Sequence, residues 1–419
     1  YRLENDIDLS EADWTPVGAY MPDPDDPSGE APDEEYAFHG TFDGNGHTIS
    51  GLTVGDESMC VGLFGVVANA TVENFIIEDA AISGNTMAAA AIGYAYHSTI
   101  DDVDLSGTNT ITGFVDGGTM PPNMLAGVVG AGIDTTILNC DVTGTTMTME
   151  VIEGASMLGT NVHDIGLVGG GLEGCNLENC TADESSIIVD GDYCFGIGGL
   201  SGCAISAEYI MNCEVTDVTI TVGDYAYLIG GLMGYVGQDG ENPATEISDC
   251  SARVDLTVGN DSARVGGLIG GGFYLDAYKA FYPIPTRFNL ANCATDGSIS
   301  AGAGSEAVGT LVGYACLCDI ENCNSDMAGV SDEVGYDQPL FDGGNGSADE
   351  PYEIANAAQL YAMRYDLEAS YKLTDDIDLN DLVLNMGEGH VYNSWKPIGI
   401  LTYSNDVDMS KVFSGIFDG

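Results

Sequence analysis

The chain alternates between two kinds of apolar pattern. Short apolar runs are closed on both sides by glycine, as in Gly198-Gly199-Leu200-Ser201-Gly202 and Gly230-Gly231-Leu232-Met233-Gly234. Between them lie stretches in which every second residue is apolar, as in Glu214-Val215-Thr216-Asp217-Val218-Thr219-Ile220-Thr221-Val222. A period of two is the signature of half-buried strands. One stretch breaks the pattern. Ile354, Ala358, Tyr361 and Tyr365 fall near one face of a 3.6-residue period, which predicts a short helix over about 355–366.

Both patterns repeat. The glycine-flanked run recurs from Val61-Gly62-Leu63-Phe64-Gly65 to Gly309-Thr310-Leu311-Val312-Gly313. Each copy is followed by a second strand carrying Asn or Asp and then Phe75, Val103, Cys140, Cys180, Cys213, Cys250, Cys293 or Cys323, at steps of 28 to 43 residues. Such a unit is too small to bury a core by itself, so successive units must stack and pair each strand with its counterpart in the next turn. The expected fold is all-β: a right-handed parallel β-helix, a solenoid of about ten coils over residues 1–340.

A longer repeat marks the boundaries. Tyr1-Arg-Leu-Glu-Asn-Asp-Ile-Asp-Leu9 matches Tyr371-Lys-Leu-Thr-Asp-Asp-Ile-Asp-Leu379. Trp14-Thr-Pro-Val-Gly18 matches Trp395-Lys-Pro-Ile-Gly399, and Phe38-His-Gly-Thr-Phe-Asp-Gly44 matches Phe413-Ser-Gly-Ile-Phe-Asp-Gly419. Residues 371–419 are therefore expected to start a second, tandem β-helix module that stops in mid-motif. Residues 341–370 are expected to form a flexible Gly-rich linker and a capping helix.

Charge narrows the partners. Nine Lys and Arg stand against 66 Asp and Glu, a formal net charge of −57. Nucleic acid and anionic lipid repel such a chain, so neither is an expected partner. No apolar run approaches the ~18–20 residues of a spanning helix, so membrane insertion is not expected. No Lys or Arg lies between Arg2 and Arg253, and Arg253, Arg264, Lys279 and Arg287 then fall close together. That distribution suits a high-salt or cation-rich setting, or a lateral contact between copies.

The repeats resemble the GLUG-motif family of secreted and cell-surface microbial proteins, whose signature is Gly-Gly-Leu-x-Gly followed by Ile-x-Asn-Cys. The flanking Pro-Tyr-x-Ile, Asp-Ile-Asp-Leu and Phe-Asp-Gly-Asn-Gly-His elements look like the start of such modules. The resemblance implies pectin-lyase-like β-helices in large multi-module extracellular proteins with adhesive or structural roles. It brings no catalytic residues. Phe75 and Val103 depart from it, standing where the motif has Cys.

Four sets of residues are candidates for chemistry. Cys140, Cys180, Cys213, Cys250, Cys293 and Cys323 share one repeat position and should form an inward structural ladder of reduced thiols. Strand spacing fits poorly to the ~3.8 Å between Cβ atoms in a disulfide; disulfides between alternate neighbours and soft-metal ligation are the competing readings. Outside the ladder, Cys203 could bridge to Cys194 or Cys175. The acidic insert offers Asp23, Asp25, Asp26, Asp33 and Glu34 as a possible calcium site, against a simple solvated loop; no other cofactor is expected. The insert carrying Phe273, Tyr274, Tyr278, Lys279, Phe281, Tyr282, Arg287 and Phe288 is the candidate partner or glycan contact, since Tyr and Arg anchor interfaces and aromatic faces stack on sugars. Its competing reading is a loop folded over its own coil. The five histidines show no metal-ligand spacing, and no catalytic set stands out, so no enzyme activity is expected.

The first reading is a structural protein, located outside the cell or at its surface, that forms a fibre, filament or sheath by head-to-tail or tandem β-helix stacking. Its expected partners are copies of itself. The alternatives are a carbohydrate-binding adhesin, with extracellular glycans as partners, and a polysaccharide-degrading enzyme.

Overall fold

The computed structural model describes residues 1–24, 26, 31–55, 59–115, 123–151, 162–237, 244–272, 288–315, 318–337, 341, 343–355, 357–363, 367–377, 384–386, 390–392, 398 and 413–419. The architecture is a parallel β-helix. Strands pair in parallel with their counterparts one turn along, and residues at the same repeat position stack. One column runs Phe42, Val72, Ile100, Ile137, Leu177, Ile210, Ile247, Leu290, Ile320, one residue per turn. Stacked in this way, the apolar positions of the period-two pattern merge into one continuous buried core from Leu9 to Met327.

Each turn is built from short strands meeting at corners, and the corners explain the Asn and Asp positions. Asn74, Asp102, Asn139, Asn179, Asn212, Asp249, Asn292 and Asn322 all have φ between 52° and 64°. This left-handed conformation suits Asn and Asp better than other L-residues. The next residue points inward, and where it is cysteine its thiol donates to the carbonyl two residues back: Cys140 to Leu138 at 3.1 Å, Cys250 to Ser248 at 3.2 Å. Another corner uses the same device with hydroxyls. Ser98 donates to the Tyr96 carbonyl at 2.8 Å and Thr135 to that of Ile133 at 3.0 Å, each after a left-handed residue.

The glycine-flanked runs form two short strands joined by a tight bend, such as Tyr227–Gly230 and Met233–Gly237. At the bend neighbouring turns come too close for a side chain. A Cβ on Gly231 would lie 2.0 Å from the Gly267 carbonyl oxygen.

The tandem repeat is reproduced in structure. Arg2 bridges Asp43 in parallel, and Lys372 pairs with Asp418 at the matching positions. Residues 341–371 form a second, small core in which Phe341, Ile354, Ala362, Met363, Ala369 and Tyr371 are buried and into which Tyr314 of the solenoid reaches. The helix there spans Ala357–Ala362, inside the expected range. The side chain of Gln359 receives the Ala355 amide at 2.7 Å and caps its start. Ile354 is buried as expected, and among the described residues Gln359, Ala362 and Met363 are buried with it; Tyr365 and the side chains of Ala358 and Tyr361 lie outside the described residues. The Gly-rich segment is hydrogen-bonded to the residues around it. Gly343 accepts from Glu353 and Gly346 from Ser370, while Asn345 bonds Glu350 through both backbone and side chain.

Candidate functional site

The cysteine ladder is present. Thr181, Glu214, Ser251 and Ala294 donate their amides to the carbonyls of Cys140, Cys180, Cys213 and Cys250, which places successive ladder cysteines one turn apart. The described cysteines are all free thiols, so neither Cys194 nor Cys175 is bridged to Cys203. Burial pushes the thiols of Cys60, Cys175 and Cys194 up to about 12, and that of Cys140 well above its ordinary value. Such thiols are poor nucleophiles. Cys323 is half-buried at the end of the ladder, where its sulfur still receives the Cys293 amide at 3.4 Å.

The two ends of the acidic insert are tied by a bridge between Pro22 and Pro32. Its carboxylates make separate contacts. Asp26 accepts from the Ala31 amide at 2.8 Å, Asp33 from the Glu35 amide at 3.0 Å, and Glu34 from the Asn69 side chain at 2.7 Å. Asp25 lies outside the described residues. Among the described residues no group of three or more His, Cys, Asp or Glu side chains is close enough to share a metal ion.

The aromatic insert lies outside the described residues from Phe273 to Arg287, including Tyr274, Tyr278, Lys279, Phe281 and Tyr282. Its last residue, Phe288, is corrected from surface contact to core. It is fully buried in the strand Phe288–Ala291 and pairs with Thr245 on the preceding turn. The two described arginines of the basic stretch are both engaged. Arg253 meets Asp217 at 2.9 Å, and the Arg264 guanidinium lies 4.8 Å from the Tyr227 ring centre and 4.0 Å from that of Tyr314.

Arg264 belongs to a seam that the sequence pattern did not reveal. On five successive turns the first glycine-flanked strand carries one residue in the left-handed region: Asp164, Gly196, Leu228, Arg264 and Ala307, at φ of 52° to 69°. The strand pairing skips each of them: His163 pairs with Phe195 and Ile165 with Ile197. The bulged residues lie along a seam packed with aromatic rings. Phe195 stacks on Tyr227 at 5.9 Å and Tyr314 on Tyr336 at 5.6 Å, while Cys203, Leu228 and Tyr235 form a cluster separate from the main core. Leu228 and Arg264 are unusual in this conformation, which marks the seam as a strained, specified feature.

Asp164 is the chemically distinct member. It is 5% exposed, and its Oδ1 has no hydrogen-bond partner among the described residues. Burial pushes its carboxyl up to about 7, while a hydrogen bond from Tyr235 opposes that rise. Gly196 makes room, since a Cβ there would meet Asp164 Oδ1 at 2.5 Å. The only signal in the sequence is an aromatic or charged residue shortly before each Gly-Gly-Leu, as in Phe195, Tyr227 and Arg264.

A second candidate site lies at the first coil. Tyr1, Leu3, Leu9, Trp14, Phe38 and Phe42 line a largely apolar cavity of about 350 Å³, with Arg2 at its edge. The Trp14 indole donates to the Leu63 carbonyl at 3.1 Å and fixes one wall, and Phe38 and Phe42 pack on Phe64 at 5.2 and 5.3 Å.

No family model matches the chain. Over 114 residues, 26% of the chain, it is 40% identical to halomucin of Haloquadratum walsbyi (strain DSM 16790 / HBSQ001). The match spans about 1% of that protein's length. No described helix is long and apolar enough to cross a membrane.

Proposed function

We propose that the chain is a segment of an extracellular structural protein in which β-helical modules stack in tandem into a stiff rod. One observation carries this reading: the chain holds the same joint twice. Residues around Tyr1 and Phe38 build one copy. Residues around Tyr371 and Phe413 build the other, and there the new module's first strand is paired directly to the segment that follows the solenoid body. A joint made of paired strands and shared core transmits direction from one module to the next, unlike a flexible linker. The resemblance to GLUG-motif repeats, the partial likeness to halomucin and the −57 charge, which suits a solvated surface in salt, support the extracellular setting. The reading assigns the chain no reaction.

The test is a chain of two copies of residues 1–370 in series, imaged by electron microscopy. A straight rod, with each added turn lengthening it by about 4.8 Å, is the expected result. Two particles swinging about a free joint would contradict the proposal.

A second reading, a glycan-binding surface, is favoured by the rings of Tyr193 and Tyr225. They stack at 4.8 Å and 8° on successive turns beside the carboxylates of Asp192 and Asp224, with Tyr225 exposed. Glycan binding lost in Tyr225→Ala would support it, and binding unchanged in that variant would remove it.

A further inference from the structure

We infer that Asn345, in the turn before the Tyr371 joint, is an N-glycan acceptor that takes its sugar from a lipid-linked oligosaccharide. This site rests on the extracellular setting proposed above and adds a chemistry that the tandem rod does not need. In an exported chain an asparagine can accept a glycan when it opens an Asn-x-Ser/Thr triplet with no proline in the middle. The chain holds four such triplets: Asn69-Ala70-Thr71, Asn179-Cys180-Thr181, Asn260-Asp261-Ser262 and Asn345-Gly346-Ser347. All four asparagines are exposed, so exposure does not choose between them.

Their hydrogen bonds do. Three of the triplets are built into the stack. Asn69 donates to Glu34 at 2.7 Å, and the amide of buried Ala70 donates to Ser98 Oγ on the next turn at 3.1 Å. Asn179 donates to Asn139 on the preceding turn at 3.0 Å, Cys180 is fully buried, and Thr181 donates to Asp141 at 2.6 Å. Asn260 donates to Asp224 on the preceding turn at 3.2 Å. The Ser262 hydroxyl is buried, where it receives the Ala226 amide at 3.1 Å and donates to the Gly259 carbonyl at 3.0 Å. A transferase has to grip the carboxamide and the hydroxyl of a triplet together, and at these three positions that means pulling neighbouring turns apart.

Asn345 is held differently. Its Oδ1 receives the Ser347 amide at 3.0 Å, its Nδ2 donates to Glu350 Oε2 at 2.9 Å, and Ser347 Oγ receives the Glu350 amide at 3.1 Å. All of these side-chain bonds stay within residues 345–350, and Ser347 to Glu350 are exposed. Gly346 seats the turn: it has φ 79°, its carbonyl receives the Ser370 amide at 2.7 Å, and a Cβ there would meet the Tyr352 ring at 2.5 Å. In the transfer, Asn345 Nδ2 forms a bond to the anomeric carbon of the donor sugar as the bond from that carbon to the lipid phosphate oxygen breaks. The phosphate leaves with the electron pair, and Nδ2 gives up one proton to a base of the transferase. The product is a secondary amide that keeps one N–H, which is all the bond to Glu350 uses, so the turn survives modification. The sugar then stands beside Tyr352, which packs on Phe341 at 4.5 Å and Tyr371 at 5.7 Å, and gives the aromatic core of the joint a hydrophilic cover.

The test is electron-transfer mass spectrometry of peptides from the native protein isolated from its own cells. A glycan on Asn345 in at least half of the molecules, with Asn260 bare, is the expected result. A bare Asn345, a sugar on Ser347 instead, or occupancy at Asn260 equal to that at Asn345 would overturn the inference. Produced in the same cells, Ser347→Ala should lose the glycan and Ser347→Thr should keep it; a glycan retained in Ser347→Ala would also overturn it. A bare Asn345 in a stiff tandem rod would sink the acceptor alone. A glycosylated Asn345 in a freely hinged tandem would sink the rod alone.

Discussion

The inward ladder at the Asn-Cys corner and the outer seam at Asp164 to Ala307 run along the same turns but obey different rules. At the corner a left-handed Asn or Asp recurs on every turn, and from Cys140 onward it is followed by a cysteine whose thiol satisfies the carbonyl two residues back. In the seam the backbone conformation recurs while the side chain changes from Asp to Gly, Leu, Arg and Ala. Where every turn must solve the same steric problem, the residue repeats. Where each turn meets a different neighbour, only the backbone does.

Substitutions can break this contrast. The largest effect is expected at the bend glycines. In Gly231→Ala the new methyl meets the Gly267 backbone, which cannot yield, so chemical denaturation should show a loss of about 3 kcal/mol or more. In the seam the sign should weaken or reverse. Ala307→Gly relieves a left-handed alanine at φ 52° and should leave stability within about 1 kcal/mol of the parent. Equal losses at both sites would erase the distinction.

Asp164 gives the next effect, and its sign follows from linkage. Its carboxyl releases a proton near pH 4 when unfolded but near 7 when folded. The stability it contributes is therefore full below pH 4 and lost as pH rises through 7. Asp164→Asn cannot ionise. Relative to the parent it should gain about 2–4 kcal/mol between pH 4 and pH 8. A stability difference flat across that range would show that Asp164 is ionised in the folded protein. Arg264→Ala should cost a smaller amount, about 1–2 kcal/mol, through loss of the two ring contacts. Arg264→Lys should recover only part of it, because an ammonium cannot lie flat between two rings.

The ladder's own test carries no energy change. The buried thiols should be unreactive toward a disulfide reagent in the native protein, and at least eleven should react after unfolding. Fewer thiols on unfolding would mean disulfides in the column.

What could be read from the sequence follows the same division. The parallel β-helix, the ladder from Cys140 to Cys323 and the match between residues 1–44 and 371–419 were visible because stacking repeats them. The seam was not, since Asp164 and Arg264 share a backbone angle rather than a residue type. Phe288 was misplaced because an aromatic at the end of a long insert looks like the insert, although it already holds the register of the next strand. The burial of Tyr371 was also hidden, because its cover comes from Phe341 and Tyr352, which lie outside the repeated motif.

The pair Tyr1 and Tyr371 also supplies the most direct test of the central claim, that one joint occurs twice and is closed at Tyr371 by the segment before it. In the unmodified chain, hydrogen exchange can be read at the Glu4 and Thr374 amides side by side. Thr374, bonded to the Ile354 carbonyl at 2.8 Å, should exchange at least tenfold more slowly than Glu4. Equal rates at the two amides would contradict the account.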